Sequence, residues 1–273
     1  MTIVQALILG IIEGITEFLP ISSTGHLILT SKLLGVADSD FTKSFEIAIQ
    51  FGAILSVVVL FKNFYKNKDN WKKVFTAFIP TAIIGFLLYR IIKEFLLSNA
   101  LIVVWSLFLG GIALIVFELW YKRIPFGSAQ GETAIAVSDI SYKKSFLTGV
   151  FQSLAIIPGV SRSGATIIGG LFMGISRQAI VEFSFLLAVP TMAAATGYDL
   201  FKSAGSFFPP LGGTPPEAVA FNPFLLLAVG FFTSFFVAML SIKWLLYFIK
   251  NHTFIFFGVY RIIAALIFWL IIK

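Results

Sequence analysis

Two carboxylates stand four residues apart in the segment Glu13-Gly14-Ile15-Thr16-Glu17. On a helix that spacing puts both on one face, roughly 5–6 Å apart at their Cβ atoms. The residues before them are apolar, from Ile3 and Val4 to Ile11 and Ile12. Like charges in such surroundings repel and resist ionisation, so they require a cation or shared protons. A hard divalent ion, magnesium or calcium, is the simplest answer, because carboxylate and phosphate oxygens are its preferred ligands. The expectation is a metal held by Glu13 and Glu17. The plain alternative is a solvated amphipathic turn.

Immediately downstream lies Pro20-Ile21-Ser22-Ser23-Thr24-Gly25-His26. Pro20 ends one helical segment, and Ser22 or Ser23 is expected to cap the next. The free N–H groups and the dipole of that helix start attract a phosphate. The hydroxyls of Ser22, Ser23 and Thr24 add donors, and one of them could be a nucleophile. His26 has the chemistry of a base or of a leaving-group acid. A lone histidine on an apolar helix is more often structural, but this one follows two carboxylates and a hydroxyl cluster.

A second cluster reads Pro158-Gly159-Val160-Ser161-Arg162-Ser163-Gly164-Ala165-Thr166. An arginine at an apolar helix start needs an anion, because an unpaired charge in lipid is costly. Its planar guanidinium grips phosphate oxygens in a fork. The competing reading is structural, with Arg162 paired to Glu13 or Glu17. Arg261 falls within the last apolar stretch and must face the interior. Glu46 and Glu182 are near the ends of spans, where water can reach them, and His252 reads as a surface residue.

The elements that position these residues are membrane helices. Of the 273 residues, 58% are hydrophobic and 12% charged, the latter about half the usual share of a soluble domain. Mean hydropathy is +0.97. Six stretches approach the roughly 20 residues a helix needs to cross a bilayer: 45–61, 74–92, 100–119, 179–200, 224–246 and 253–272. Segments 62–73 and 120–144 are polar and expected at the surface. Segment 203–223, which holds five of the ten prolines, is expected to be an irregular loop. Regions 3–34 and 146–175 are apolar but broken by proline, serine and glycine, which suits re-entrant helix pairs.

Shifting the first region by 139 positions lays Gly10 on Gly149, Ser22 on Ser161, Thr24 on Ser163 and Gly25 on Gly164. Three spans separate the two copies, so the second is upside down. The expected fold is an all-α polytopic membrane protein with an inverted-topology repeat, six transmembrane helices plus two re-entrant helix pairs. It is one membrane domain, 1–273, with halves of roughly 1–120 and 145–273. Lys62, Lys66, Lys68, Lys72, Lys73, Lys122, Arg123, Lys143, Lys144, Arg177, Lys243 and Lys250 share one face. Lys32, Lys43, Arg90, Lys93, Lys202 and Lys273 share the other. The richer face belongs in the cytoplasm, which puts both termini and the first re-entrant loop outside.

Other chemistries are excluded. The chain has no cysteine and two histidines, so disulfides, thiolate metal sites, thiol catalysis and a poly-histidine cage are out. The net charge of +7 is read as topological and lipid-directed, not as nucleic-acid binding. The N-terminus lacks the basic and small-residue pattern of a cleaved signal.

The residues from Glu13 to His26 resemble the first signature of the bacitracin-resistance type of undecaprenyl-diphosphatase, and those from Pro158 to Thr166 resemble its second. The segments Phe45-Glu46-Ile47-Ala48-Ile49-Gln50 and Phe183-Ser184-Phe185-Leu186-Leu187-Ala188 are also similar to family segments, so the likeness runs over nearly the whole chain. It implies hydrolysis of undecaprenyl diphosphate to undecaprenyl phosphate and inorganic phosphate. That reaction recycles the lipid carrier for cell-wall synthesis and confers bacitracin resistance. The likeness also implies a divalent-metal requirement, action at the outer face of the bacterial cytoplasmic membrane, and a homodimer. On this reading Glu13 and Glu17 hold the metal and Arg162 clamps phosphate oxygens. Ser22, Thr24, Ser161, Ser163 and Thr166 donate to phosphate. Ser23 attacks phosphorus or positions a water, and His26 moves the proton. The rival is a secondary transporter or polyprenyl-phosphate flippase with a midplane anion site.

Overall fold

The structure is a computed structural model and describes residues 1–91, 100–121, 137–207 and 222–272. Every long element among them is an α-helix: α1 (Ile3–Thr16), α2 (Ser23–Leu33), α3 (Asp40–Leu60), α4 (Lys68–Ile91), α5 (Ala100–Tyr121), α6 (Tyr142–Gln152), α7 (Arg162–Phe172), α8 (Arg177–Phe207), α9 (Pro223–Phe248) and α10 (Ile255–Ile272). Six of them, α3, α4, α5, α8, α9 and α10, contain stretches long and apolar enough to cross a membrane. These are the six expected spans. Their outward faces carry exposed Phe86, Leu109, Phe224, Leu240 and Leu270, side chains that suit a lipid environment. The chain is a multi-pass membrane protein.

Several boundaries move. The third helix begins at Asp40 rather than 45, because the Ser39 hydroxyl accepts from the Thr42 N–H and caps it. The eighth helix continues to Phe207, so residues 203–207 are helical where an irregular loop was expected; the remainder, 208–221, lies outside the described residues. Helix α6 takes 142–144 out of the expected surface segment, of which 122–136 also lie outside the described residues. Of the charges that set the orientation, Lys93, Lys122, Arg123 and Lys273 lie there too.

The four remaining helices are short. Helices of 11 to 14 residues reach about 16–21 Å, well under the ~30 Å of a hydrocarbon core. They form two consecutive pairs, α1–α2 and α6–α7. Each pair is bent at a non-helical break, at residues 17–22 and 157–161.

Small residues seat the pairs on the spans. Gly10 and Gly14 form a G-x-x-x-G stripe on α1 that packs directly on α9. A Cβ at Gly10 would lie 2.8 Å from the Gly230 carbonyl, and one at Gly14 would lie 2.8 Å from the Ser234 carbonyl. Gly149 on α6 meets the Ala77 carbonyl of α4 in the same way. This approach turns the Glu13 face of α1 inward and leaves Leu7, Ile11 and Ile15 outward. On the side of Arg177, the buried Glu118 carboxylate takes both guanidinium nitrogens and the Phe254 N–H, tying α5 to the starts of α8 and α10.

Candidate functional site

The two breaks meet. Glu17, the C-cap of α1, stands between them. Its Oε2 accepts from the Ser23 hydroxyl at 2.5 Å, and its Oε1 accepts from the Arg162 guanidinium at 2.7 Å. Ser23 is the first residue of α2 and Arg162 the first of α7. A carboxylate, a hydroxyl and a guanidinium from opposite halves of the chain thus form one hydrogen-bonded group. Its bonds involve ionised partners, the stronger class of hydrogen bond.

Beside this group is a cavity of about 260 Å³, walled by Glu17, Ser22, Ser23, Thr24, Ser161 and Arg162 together with Gln50, Ala155, Val160, Met192, Ala195 and Thr196. The wall carries the Arg162–Glu17 ion pair and several hydroxyls where the two breaks meet, and is partly apolar on the side of α8. That combination suits an anionic head group joined to an apolar tail.

The local structure explains the placement. Ser161 has extended backbone, and its hydroxyl accepts the Gly164 N–H, so α7 is capped in the usual way. Gly159, at φ +89, lets the chain turn ahead of it. The first break departs from expectation. Ser22 precedes α2 at φ 71 and makes no side-chain cap. Its carbonyl instead takes the His26 ring Nδ1 at 2.7 Å. The first N–H groups of α2 are therefore left without a side-chain cap, beside a cavity that Arg162 also lines.

The expected site residues divide into two sets. Glu17, Ser22, Ser23, Thr24, Ser161 and Arg162 face the cavity. The others stand behind it. The Ser163 hydroxyl donates to the Leu19 carbonyl at 2.9 Å and lies 3.0 Å from the Ser161 hydroxyl, stitching one break to the other. Thr166 bonds the Ser184 hydroxyl at 2.6 Å. The His26 ring is buried between Ser22 and Tyr260. The Ser23 hydroxyl is bonded to Glu17, while His26, expected to move the proton, is bonded to Ser22 and Tyr260. The structural reading of Arg162, a pair with Glu17, holds alongside its place in the cavity wall.

Glu13 is fully buried, and neither of its carboxylate oxygens has a hydrogen-bond partner. It lies within electrostatic reach of Glu17, Glu46 and Arg162. Orphaned carboxylate oxygens next to a second carboxylate fit a hard cation. Among the described residues no cluster of three or more His, Cys, Asp or Glu side chains could hold a metal ion. A cation at Glu13 and Glu17 would therefore draw further ligands from phosphate and water.

Three participants escaped the sequence reading. Tyr260 bonds His26 across 234 positions and carries no motif. Ser184 supports Thr166 and offers its carbonyl to Arg162 at 3.5 Å. Gln50 lines the cavity one helical turn beyond Glu46, and the polar pair spaced by four in an apolar span was the available signal.

A family model for bacitracin resistance protein BacA matches residues 6–267. The chain is 52% identical to the undecaprenyl-diphosphatase of Aquifex aeolicus (strain VF5) over 269 residues, 98% of each chain. It is 48% identical to that of Sulfurihydrogenibium sp. (strain YO3AOP1) over 99% of each chain. With that of Persephonella marina (strain DSM 14350 / EX-H1) the figure is again 48%, over 100% of each.

Proposed function

The chain belongs to the bacitracin resistance protein BacA family, and from that premise we propose that it hydrolyses undecaprenyl diphosphate within the membrane, releasing undecaprenyl phosphate and inorganic phosphate. The observation that carries this reading is the contact of Ser23 and Arg162 with one carboxylate, Glu17, at the edge of the cavity. A transporter needs an anion site, but it has no use for a hydroxyl held on a base. The product is the lipid carrier that cell-wall synthesis consumes, and its recycling accounts for the family's bacitracin resistance.

The geometry supports the following reaction. The terminal phosphate of the substrate sits between the start of α2 and Arg162, with Ser22, Thr24 and Ser161 donating to its oxygens. Ser23 Oγ attacks the terminal phosphorus while Glu17 takes its proton, and the bond to the bridging oxygen breaks to release undecaprenyl phosphate. Water then hydrolyses the phosphoserine. In a variant of the scheme Ser23 positions the attacking water, and Glu17 again takes the proton. Arg162 balances charge on the equatorial oxygens. Ser163 and Thr166 hold the two breaks, and His26 braces Ser22. Glu13 and Glu17 are the residues that would hold magnesium or calcium, which when bound screens the charge of the diphosphate. The test is phosphate release from undecaprenyl diphosphate by purified protein in detergent, with and without a chelator. Release that stops on chelation and returns with magnesium supports the scheme; absence of release in both arms overturns it.

The architecture is read as an inverted repeat with halves of roughly 1–120 and 145–273. Helices α1–α2 and α6–α7 are the re-entrant pairs. Exchanging α1–α5 with α6–α10 turns the contact of α1 with α9 into that of α6 with α4, and the contact of α3 with α9 into that of α8 with α4. The α5–α10 contact maps onto itself. The protein lies in the bacterial cytoplasmic membrane as a homodimer, with the termini and the first break open to the outside. Because the chain has no cysteine, single cysteines test this orientation. One at Lys68 should react only with permeant reagents in intact cells, and one at Ser206 with impermeant reagents. The opposite pattern would invert the assignment.

A further inference from the structure

Helix α10 sends two consecutive side chains, Tyr260 and Arg261, against the breaks from behind the cavity. Arg261 is 2% exposed and forms no ion pair with any described carboxylate. Its guanidinium instead donates to four main-chain carbonyls. Two are on α5, Leu107 at 3.3 Å and Ser106 at 3.0 Å. The other two are Pro20 at 3.3 Å and Gly159 at 3.0 Å. Pro20 lies in the first break and Gly159 in the second. A planar cation with five fixed donors is the one side chain able to serve so many carbonyls at once. Room for it is made by Gly110, where a Cβ would collide with the guanidinium.

Tyr260 acts on the same turn. Its hydroxyl is 2.8 Å from His26 Nε2, and the two rings lie parallel within 7°. The partner of Nδ1 is the Ser22 carbonyl, which only accepts, so Nδ1 carries the proton, and Nε2 is left to the Tyr260 hydroxyl. Ser22 is the residue that needs holding: among the described residues it is the one non-glycine with positive φ. The turn before α2 is thus pinned at Pro20 by Arg261 and at Ser22 by the Tyr260–His26 pair. Ser23 follows directly.

We infer that Tyr260 and Arg261 are positioning residues for the hydrolysis: they hold the first break in the conformation, and at the distance from the second, that bring Ser23, Glu17 and Arg162 together. This rests on the proposed function. A charge buried without a counter-ion is costly in a membrane, and helix packing alone would be served by an aliphatic side chain. Two of the four carbonyls that Arg261 holds, Pro20 and Gly159, lie one in each break and the other two fix it to α5, which is where a positioning device is needed.

The test is phosphate release from undecaprenyl diphosphate across substrate concentration, by purified protein in detergent, with thermal midpoint measured in parallel. Tyr260→Phe keeps the ring and removes the donor. Its expected effect is about a tenfold loss of kcat with KM within about threefold of wild type and an unchanged midpoint, the pattern of a reacting group displaced by a fraction of an ångström. Arg261→Lys keeps charge and loses the fork, with an expected loss of about 100-fold in kcat. His26→Asn, whose amide can still donate to the Ser22 carbonyl, should retain several times the kcat of His26→Ala. If Arg261→Lys does not fold, Tyr260→Phe and the His26 pair decide. A wild-type protein that releases no phosphate would defeat the function itself. An active wild type with full kcat in Tyr260→Phe, or equal loss in His26→Asn and His26→Ala, would defeat the positioning role alone.

Discussion

The two breaks share a pattern and are built differently. Both follow a helix seated through glycine on a neighbouring span, and both end in Ser-x-(Ser/Thr)-Gly. In the second, glycine supplies the left-handed turn and Ser161 caps the helix. In the first, Ser22 itself is left-handed, a conformation that costs about 1–3 kcal/mol at a non-glycine residue. The contrast extends to charge. Under the shift of 139, Glu13 falls on Gln152 and Ser23 on Arg162. The Gln152 amide nitrogen donates to Thr81 and Thr191 and only its oxygen lacks a partner, whereas both Glu13 oxygens lack one. The first break is strained and brings together Glu17 and Ser23, whereas the second is relaxed and carries Arg162. Strain is found where the chemistry is read.

The largest test of that division is Glu17→Gln. The amide keeps the shape but can neither take the Ser23 proton nor serve a hard cation well, so turnover should fall by about a thousandfold or more with metal dependence weakened. Near wild-type phosphate release at ordinary magnesium would return Glu17 to a structural role. A smaller effect separates the two helix starts by stability. Ser161→Ala removes a cap and should lower unfolding stability by about 1 kcal/mol. Ser22→Ala removes no cap and should lower it by less than half as much. Thermal or denaturant unfolding in detergent measures both, and equal losses would mean that Ser22 caps α2 after all.

Much of this division can be read in the sequence, because hydropathy reports burial in lipid directly and an ionisable residue in an apolar run has few innocent explanations. The six spans, the two broken regions, and a pair between Arg162 and Glu13 or Glu17 follow from it; the bond of Ser23 to Glu17 does not. What it hid depends on atoms far apart in the chain. No local pattern shows that Ser22 is left-handed, since serine normally caps with extended backbone. The anchor of His26 on Tyr260, and of the breaks on Arg261, exists only once α10 packs on α5. Helix ends shifted where a capping serine, Ser39, outweighed the hydropathy profile that placed the start at 45.

In the proposed mechanism a cation from one half of the chain completes a hydrolytic group in the other. Arg162→Lys is the sharpest probe of it, because the ammonium keeps the charge and loses the planar fork, one arm of which bonds Glu17. The measurement is phosphate release from undecaprenyl diphosphate by purified, folded variant across substrate concentration, normalised to protein. The expected result is a fall in kcat of about 100-fold or more with a modest rise in KM, the size of effect found when an oriented transition-state donor is lost. An unaltered kcat with only KM changed would contradict it and leave Arg162 as a binding or bracing residue.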